Sequence, residues 1–173
     1  MTAQTVFDAL IFIGRFQPLH NGHLAVMREA LKQTRRLVVL VGSSNAARSP
    51  RNPFTYDERR AMIEACVAAG ELDAAPGQIV VQPLPDIAYN DQAWIADVQK
   101  IVARALRAEG EGRDLRIGLA GHGKDGTSYY LKLFPEWRSV DVATRYAMLN
   151  ATELRADYLR PAARMPTAHL CPP

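Results

Sequence analysis

The stretch LIFIGRFQPLHNGHLAVMREAL, residues 10–31, decides how the rest of the chain is read. It opens on an unbroken apolar run, the mark of a strand covered on both faces. Gly14 and Pro18 turn the chain, and Leu24, Met27 and Leu31 then return at helical spacing, with Arg28 and Lys32 on other faces. His20 and His23 flank Gly22 where strand hands over to helix. A helix start presents unpaired backbone N–H groups and a partial positive charge. Imidazoles at i and i+3 project from one side of its first turn, and Gly22 leaves room for a ligand to approach the backbone. Together these features read as a phosphate site. The plainer reading, a polar helix start that happens to hold imidazoles, is outweighed by their coincidence at one sheet edge. Zinc would need further ligands at metal spacing, and the neighbouring sequence offers none.

Working outward, apolar runs and helical patterns alternate. Strands are expected at 9–14, 36–42, 78–84, 115–121 and 138–144. A helix follows the first strand, and Thr55 with Glu58 forms a capping box that starts a second. Ile95, Val98, Ile101 and Ala105 mark a third helix opening at Trp94, GTSYYLKLF reads as a short fourth, and NATELRADYL as a last one capped by Asn150. Tyr129 and Tyr130 read as packing residues of the short helix. The alternation predicts an α/β domain: a Rossmann-like, doubly wound, parallel five-stranded sheet with helices on both faces. Such sheets bind ligands beyond the carboxyl ends of their strands, where GRFQPLHNGH, GSSNAARSPRN, PDIAYND and GHGKDG all fall.

Composition bounds the rest. A chain of 173 residues suits one domain with its own core. Its apolar residues never run to the ~18 that a membrane span needs, and MTAQTVFDAL lacks the basic start of a secretion signal. With Cys66 in an apolar helical pattern and Cys171 far from it, no disulfide framework is expected, and a cytoplasmic location follows. A formal charge of +3 allows an anionic ligand but argues against duplex nucleic acid. The Pro-rich segment 161–173 reads as a tail or linker stub behind a domain at 1–160. Neither a membrane nor a nucleic-acid partner is expected; a homo-oligomer is left open.

At this point the residues carry a resemblance. His20-Asn21-Gly22-His23 matches the H-x-G-H motif of the nucleotidyltransferase superfamily. The longer string Gly14-Arg15-Phe16-Gln17-Pro18-x-His20-x-Gly22-His23 resembles the nicotinamide-mononucleotide adenylyltransferases of the archaeal type. RSPRNPFTYDERRAMI, YNDQAWIADVQ and GHGKDGTSYYLKLFPEW are similar to a bacterial branch in which this domain precedes a Nudix hydrolase domain. No Nudix signature occurs here, and the likeness covers roughly residues 8–160.

The resemblance implies transfer of AMP from Mg-ATP to nicotinamide mononucleotide, or its acid form, giving NAD or its acid form and pyrophosphate. The attacking phosphate oxygen is already anionic, so positioning and charge stabilisation replace a general base. It implies catalytic roles for His20, His23, Arg15 and Arg155, with the histidines holding the ATP phosphates and Arg15 gripping two oxygens at once. A second family signature, Ile-Ser-x-Thr-x-x-Arg, falls on Leu149-Asn150-Ala151-Thr152-Glu153-Leu154-Arg155. Thr152 and Arg155 match it, and Asn150 stands where the family usually has Ser. Gly14, Phe16, Gly22, Gly121, His122, Lys124, Asn150 and Thr152 complete the implied ATP site. Asn90, Trp94 and Arg48 are the implied contacts to the mononucleotide, although Trp94 equally suits a helix core. Asn52 and the Arg59 region are further candidates for phosphate or adenine, against surface charge as the alternative. Magnesium arrives with ATP and needs no protein ligand set. Two other readings stay open: another H-x-G-H enzyme, cytidylyl- or phosphopantetheine adenylyl-transferring, or a non-catalytic nucleotide-sensing domain. Arg15-Phe16-Gln17 counts against the first, since those families more often show Thr-Phe-Asp.

Overall fold

The computed structural model describes residues 6–107, 114–121, 133–141 and 151–159. Strands β1 (Phe7–Gly14), β2 (Thr34–Val41), β3 (Ile79–Pro83), β4 (Ile117–Gly121) and β5 (Arg138–Asp141) form one sheet in the order β3-β2-β1-β4-β5. Every pairing is parallel. Helices α1 (Asn21–Leu31), α2 (Tyr56–Ala68), α3 (Asp91–Ala105) and α4 (Ala151–Tyr158) connect or follow them.

The two-residue period of the central strands divides the core cleanly. Leu10 and Phe12 with Leu37, Val39 and Val41 face one side, where Leu24, Met27, Ile63 and Cys66 of α1 and α2 cover them. Ala9, Ile11 and Ile13 with Val38 and Leu40 face the other, under Val98 and Val102 of α3 and the Phe134–Trp137 stack. This is why the runs in β1 and β2 show no polar alternation. Gly118 lets β4 close on β1, since a Cβ there would come within 2.7 Å of Leu10 and 2.8 Å of Phe7.

β1 lies at the centre with its sequence successors on opposite sides, so the strand order reverses between β1 and β4. The crevice beyond their carboxyl ends is where such a sheet places a ligand. The expected five strands, the α2 capping box and buried Cys66 are all found. One expectation is corrected: α3 begins at Asp91, not Trp94, because Asn90 Oδ1 accepts from Ala93 N–H at 2.9 Å and caps it. The expected short helix over GTSYYLKLF, with Tyr129 and Tyr130, lies almost wholly outside the described residues, as do Cys171 and the 161–173 tail.

Candidate functional site

The turn after β1 folds back on itself. Phe16 takes a left-handed backbone, φ +50°, and its ring lies over Gly14, where a Cβ would meet it at 2.8 Å. The ring is buried and stands edge-on to His23, centroids 4.8 Å apart. Phe16 is therefore a wall behind His23 rather than a side chain reaching for ligand. His20 and His23 stack at 3.7 Å.

The hydrogen bonds fix which imidazole nitrogens remain available. His20 is the N-cap of α1, and its Nδ1 accepts from Gly22 N–H at 3.1 Å. His23 Nδ1 accepts in turn from His20 N–H at 3.3 Å. A neutral imidazole that accepts at Nδ1 carries its proton on Nε2. Burial keeps both rings neutral: His20 falls to about 4, and His23, with His20 beside it, is driven well below its usual 6.5. The pair thus offers two neutral Nε2–H donors at a helix start that holds no acidic residue in its first turn.

Four guanidinium groups gather at the same edge. Burial, then the charges of Arg51 and Arg155, lowers the pKa of Arg15. Arg155 is lowered by burial and then by Arg51. Arg59 is lowered by burial and then by Arg15. The strongest electrostatic influence on each of the three is another arginine, with Asp86 a weaker counterweight to Arg15 and Arg59. Such crowding of like charge fits a site shaped for a polyanion.

Side-chain to backbone bonds hold the arrangement. Arg15 Nη2 donates to the Arg51 carbonyl at 3.0 Å. Gln17, buried, pairs both ends of its amide with the Phe54 backbone, at 2.7 Å and 3.0 Å. Arg155 reaches from α4 to the Gln17 carbonyl at 2.7 Å and to Thr152 Oγ1 at 2.9 Å. Three chain segments therefore meet at Gln17: the turn after β1, the loop before α2, and α4. Asn52 Oδ1, in that loop, is a buried acceptor with no partner among the described residues.

The structure brings Gly14, Arg15, Phe16, His20, Gly22, His23, Thr152 and Arg155 to one place and ends β4 at Gly121 beside them. His122, Lys124 and Asn150 lie outside the described residues. The remaining candidates have evident structural duties. Asn90 caps α3. Trp94 is half-buried, packed against the α3-side core with its ring 6.1 Å from Phe134. Arg48 is exposed, bonded to the Pro53 carbonyl at 2.8 Å and to Glu58 at 2.7 Å.

Arg51, one of several arginines in its loop, was assigned no role from sequence, yet it borders Arg15 and Arg155. Arg59, whose region was a candidate for phosphate or adenine with surface charge as the alternative, is 1% exposed. Its signal was present in the sequence: Arg59 stands four residues before Ile63 and seven before Cys66, on the buried stripe of α2.

Among the described residues no group of three or more His, Cys, Asp or Glu could hold a metal ion, and no helix is long and apolar enough to cross a membrane. A groove of about 640 Å³ between α2 and β3 lies away from this edge and contains no histidine.

A doubly wound parallel sheet with paired imidazoles and clustered arginines at its switch point defines a phosphate-handling, nucleotide-type site. The chain belongs to the cytidylyltransferase-like family, whose pattern residues 11–113 match. It is 39% identical over 152 residues to the nicotinamide/nicotinic acid mononucleotide adenylyltransferase of Acinetobacter baylyi, covering 88% of this chain and 76% of that protein. It is 38% identical over 92 residues to the nicotinamide-nucleotide adenylyltransferase of Ignicoccus hospitalis, covering 53% of this chain and 52% of that one. Among solved structures, it is similar to a bifunctional NMN adenylyltransferase/ADP ribose pyrophosphatase of Francisella tularensis complexed with AMP and a manganese ion. That likeness has a TM-score of 0.81 at 29% identity and covers 96% of this chain and 45% of the Francisella chain. The chain thus spans less than half of the Francisella protein and about half of the Ignicoccus one.

Proposed function

We propose that this chain transfers AMP from Mg-ATP to nicotinamide mononucleotide or its acid form, releasing pyrophosphate. The observation that carries the reading is the start of α1: two neutral imidazoles with Nε2–H donors, at an acid-free helix end, beside arginines whose strongest charged neighbours are other arginines. The names of the Acinetobacter and Ignicoccus relatives supply the acceptor.

In this reading a 5′-phosphate oxygen of the mononucleotide bonds to the α-phosphorus of ATP as the bond to the β-phosphate oxygen breaks, and the electron pair leaves with pyrophosphate. His20 and His23 donate to α-phosphoryl oxygens as charge builds there. Arg15, Arg51 and Arg155 hold the polyphosphate and the leaving group, bidentate where geometry permits. Asn52 Oδ1 accepts from a hydroxyl or amino group of a substrate. Gly121, His122, Lys124, Asn150 and Thr152 complete the ATP side, and Asn90, Trp94 and Arg48 the mononucleotide side. Magnesium enters as part of Mg-ATP and offsets its charge. The substrates are soluble small molecules, and the setting is cytoplasmic.

The test is pyrophosphate release from Mg-ATP with the two pyridine mononucleotides in parallel, and CTP and phosphopantetheine as decoys. Release with either mononucleotide is expected, and the ratio of rates names the preferred one. Release only with a decoy, or tight ATP binding without release, overturns the proposal in favour of a different transferase or a nucleotide sensor.

A further inference from the structure

Arg59 lies on the buried face of α2, and among the described residues its hydrogen-bond partners include no acid. A buried guanidinium is costly unless its donors are matched, and here backbone carbonyls match them. Nε donates to Thr55 O at 3.0 Å, Nη1 to Arg15 O at 2.6 Å and to Gly42 O at 2.7 Å, and Nη2 to Ser43 O at 3.2 Å. One side chain thereby joins the turn after β1, the turn after β2 and the cap of α2.

The consequence follows from peptide geometry. In a trans peptide the N–H points opposite to the C=O. Drawing the Arg15 carbonyl inward turns Phe16 N–H away from Arg59, and drawing the Gly42 carbonyl inward does the same to Ser43 N–H. Drawing in the Ser43 carbonyl likewise turns out Ser44 N–H, which donates to Leu84 O at 3.1 Å. The other two N–H groups have no acceptor among the described residues, although Phe16 is 1% and Ser43 7% exposed. Both residues hold left-handed backbones, φ +50° and +49°, conformations that cost energy outside glycine. Something must hold them there, and the shared anchor of both turns is Arg59.

We propose that Arg59 is a positioning residue: it fixes the two turns so that the Phe16 and Ser43 N–H groups form a backbone anion cradle beside the imidazole pair. The ligand class is a polyphosphate, and in that respect the proposal rests on the function proposed above. Arg59 touches no substrate; it acts through the peptides it holds. Lysine cannot replace it, because an ammonium has three donors where four carbonyls are held in a planar fork.

The experiment uses the full chain and two probes. Isothermal titration with ATP and with adenosine, on wild type and Arg59→Lys, separates phosphate from nucleoside binding. We expect ATP affinity to fall at least tenfold while adenosine affinity stays within twofold. A purely structural role would lower the melting temperature and leave the ratio of the two affinities unchanged, which overturns the proposal. Should Arg59→Lys not fold, Arg59→Met, which buries no ammonium, is read by the same ratio. Amide NMR of wild type with inorganic pyrophosphate needs no variant: the Phe16 and Ser43 amide signals must shift, and their indifference overturns the cradle. Failure of the proposed transferase would instead show as absent turnover in wild type with the pyrophosphate shifts intact.

Discussion

Two helices of this protein start with similar caps put to different uses. α2 opens with Thr55 and Glu58, the side chain of each bonded to the other's backbone N–H, and holds Asp57 and Glu58 in its first turn. α1 opens with a variant of that box, in which His23 Nδ1 accepts from His20 N–H and His20 Nδ1 accepts from Gly22 N–H, and its first turn has no acid. In α2 the carboxylates answer the positive end of the helix and complete it. In α1 the box satisfies the backbone through Nδ1 atoms alone, so the helix end keeps its positive character and each ring keeps an Nε2–H. The difference teaches that a cap can close a helix or leave it open to an anion, depending on whether its side chains bring charge.

The comparison is broken most forcefully at His23. His23→Glu restores the α2 type of box while replacing a donor with a carboxylate, and His23→Ala removes both cap and donor. Turnover in the pyrophosphate assay should fall at least about 100-fold in each, on the scale of losing a transition-state donor, with Glu no better than Ala. His23→Gln keeps an acceptor for the cap and a donor for phosphate, so it should outperform both. Equal turnover of Gln and Glu variants would mean that the cap alone matters.

The next effect is on stability against pH. With the folded pKa of His20 lowered from 6.5 to about 4, the unfolded chain binds the proton first. Stability is therefore full above pH 6.5 and declines as pH falls toward 4, by roughly 3 kcal/mol at the end of that window. His23 contributes in the same direction. Between pH 6.5 and 5 carboxylates stay ionised in both states, so denaturant midpoints over that range should drop in wild type and drop less in His20→Ser. Equal slopes would contradict a buried neutral imidazole.

Arg51 and Arg48 offer a smaller contrast between two arginines three residues apart. Arg51→Ala should raise KM for ATP about tenfold, the worth of one charge-assisted contact. Arg48→Ala removes an exposed ion pair with Glu58, which solvent screens, so little stability should be lost. As a contact proposed for the mononucleotide, Arg48 should on removal raise KM for that substrate and not for ATP; an unchanged KM would leave it with the ion pair alone. Smallest is Thr55→Ala, which should cost about 1 kcal/mol of stability and leave turnover of the folded protein within twofold, in contrast to the cap of α1.

These contrasts also show what a sequence reveals. β1 and β2 were legible because both sheet faces are covered, which writes unbroken apolar runs such as Leu10–Ile13 and Leu37–Val41. The α2 box was legible because its chemistry is local. The start of α3 was misplaced because Trp94 is its first large apolar residue, while the cap that begins the helix is a polar side chain read as a ligand contact. The arginines were hardest. Arg48, Arg51, Arg59 and Arg60 occur within thirteen residues and differ only in what the fold puts beside them. Arg60 pairs with Glu64 on the surface, whereas Arg59 ends under the crevice because the helix turns it by about 100°. The pairing of Gln17 with Phe54 spans 37 residues, and nothing local predicts it.

The central claim, that two neutral Nε2–H imidazoles at the start of α1 meet the phosphates of ATP, is tested most directly by 15N NMR of the histidine side chains at pH 7. The protein without nucleotide should show His20 and His23 as neutral, Nε2-protonated tautomers, and adding a non-hydrolysable ATP analogue with magnesium should move both Nε2 resonances. Charged rings, Nδ1-protonated tautomers, or resonances indifferent to the analogue would contradict it.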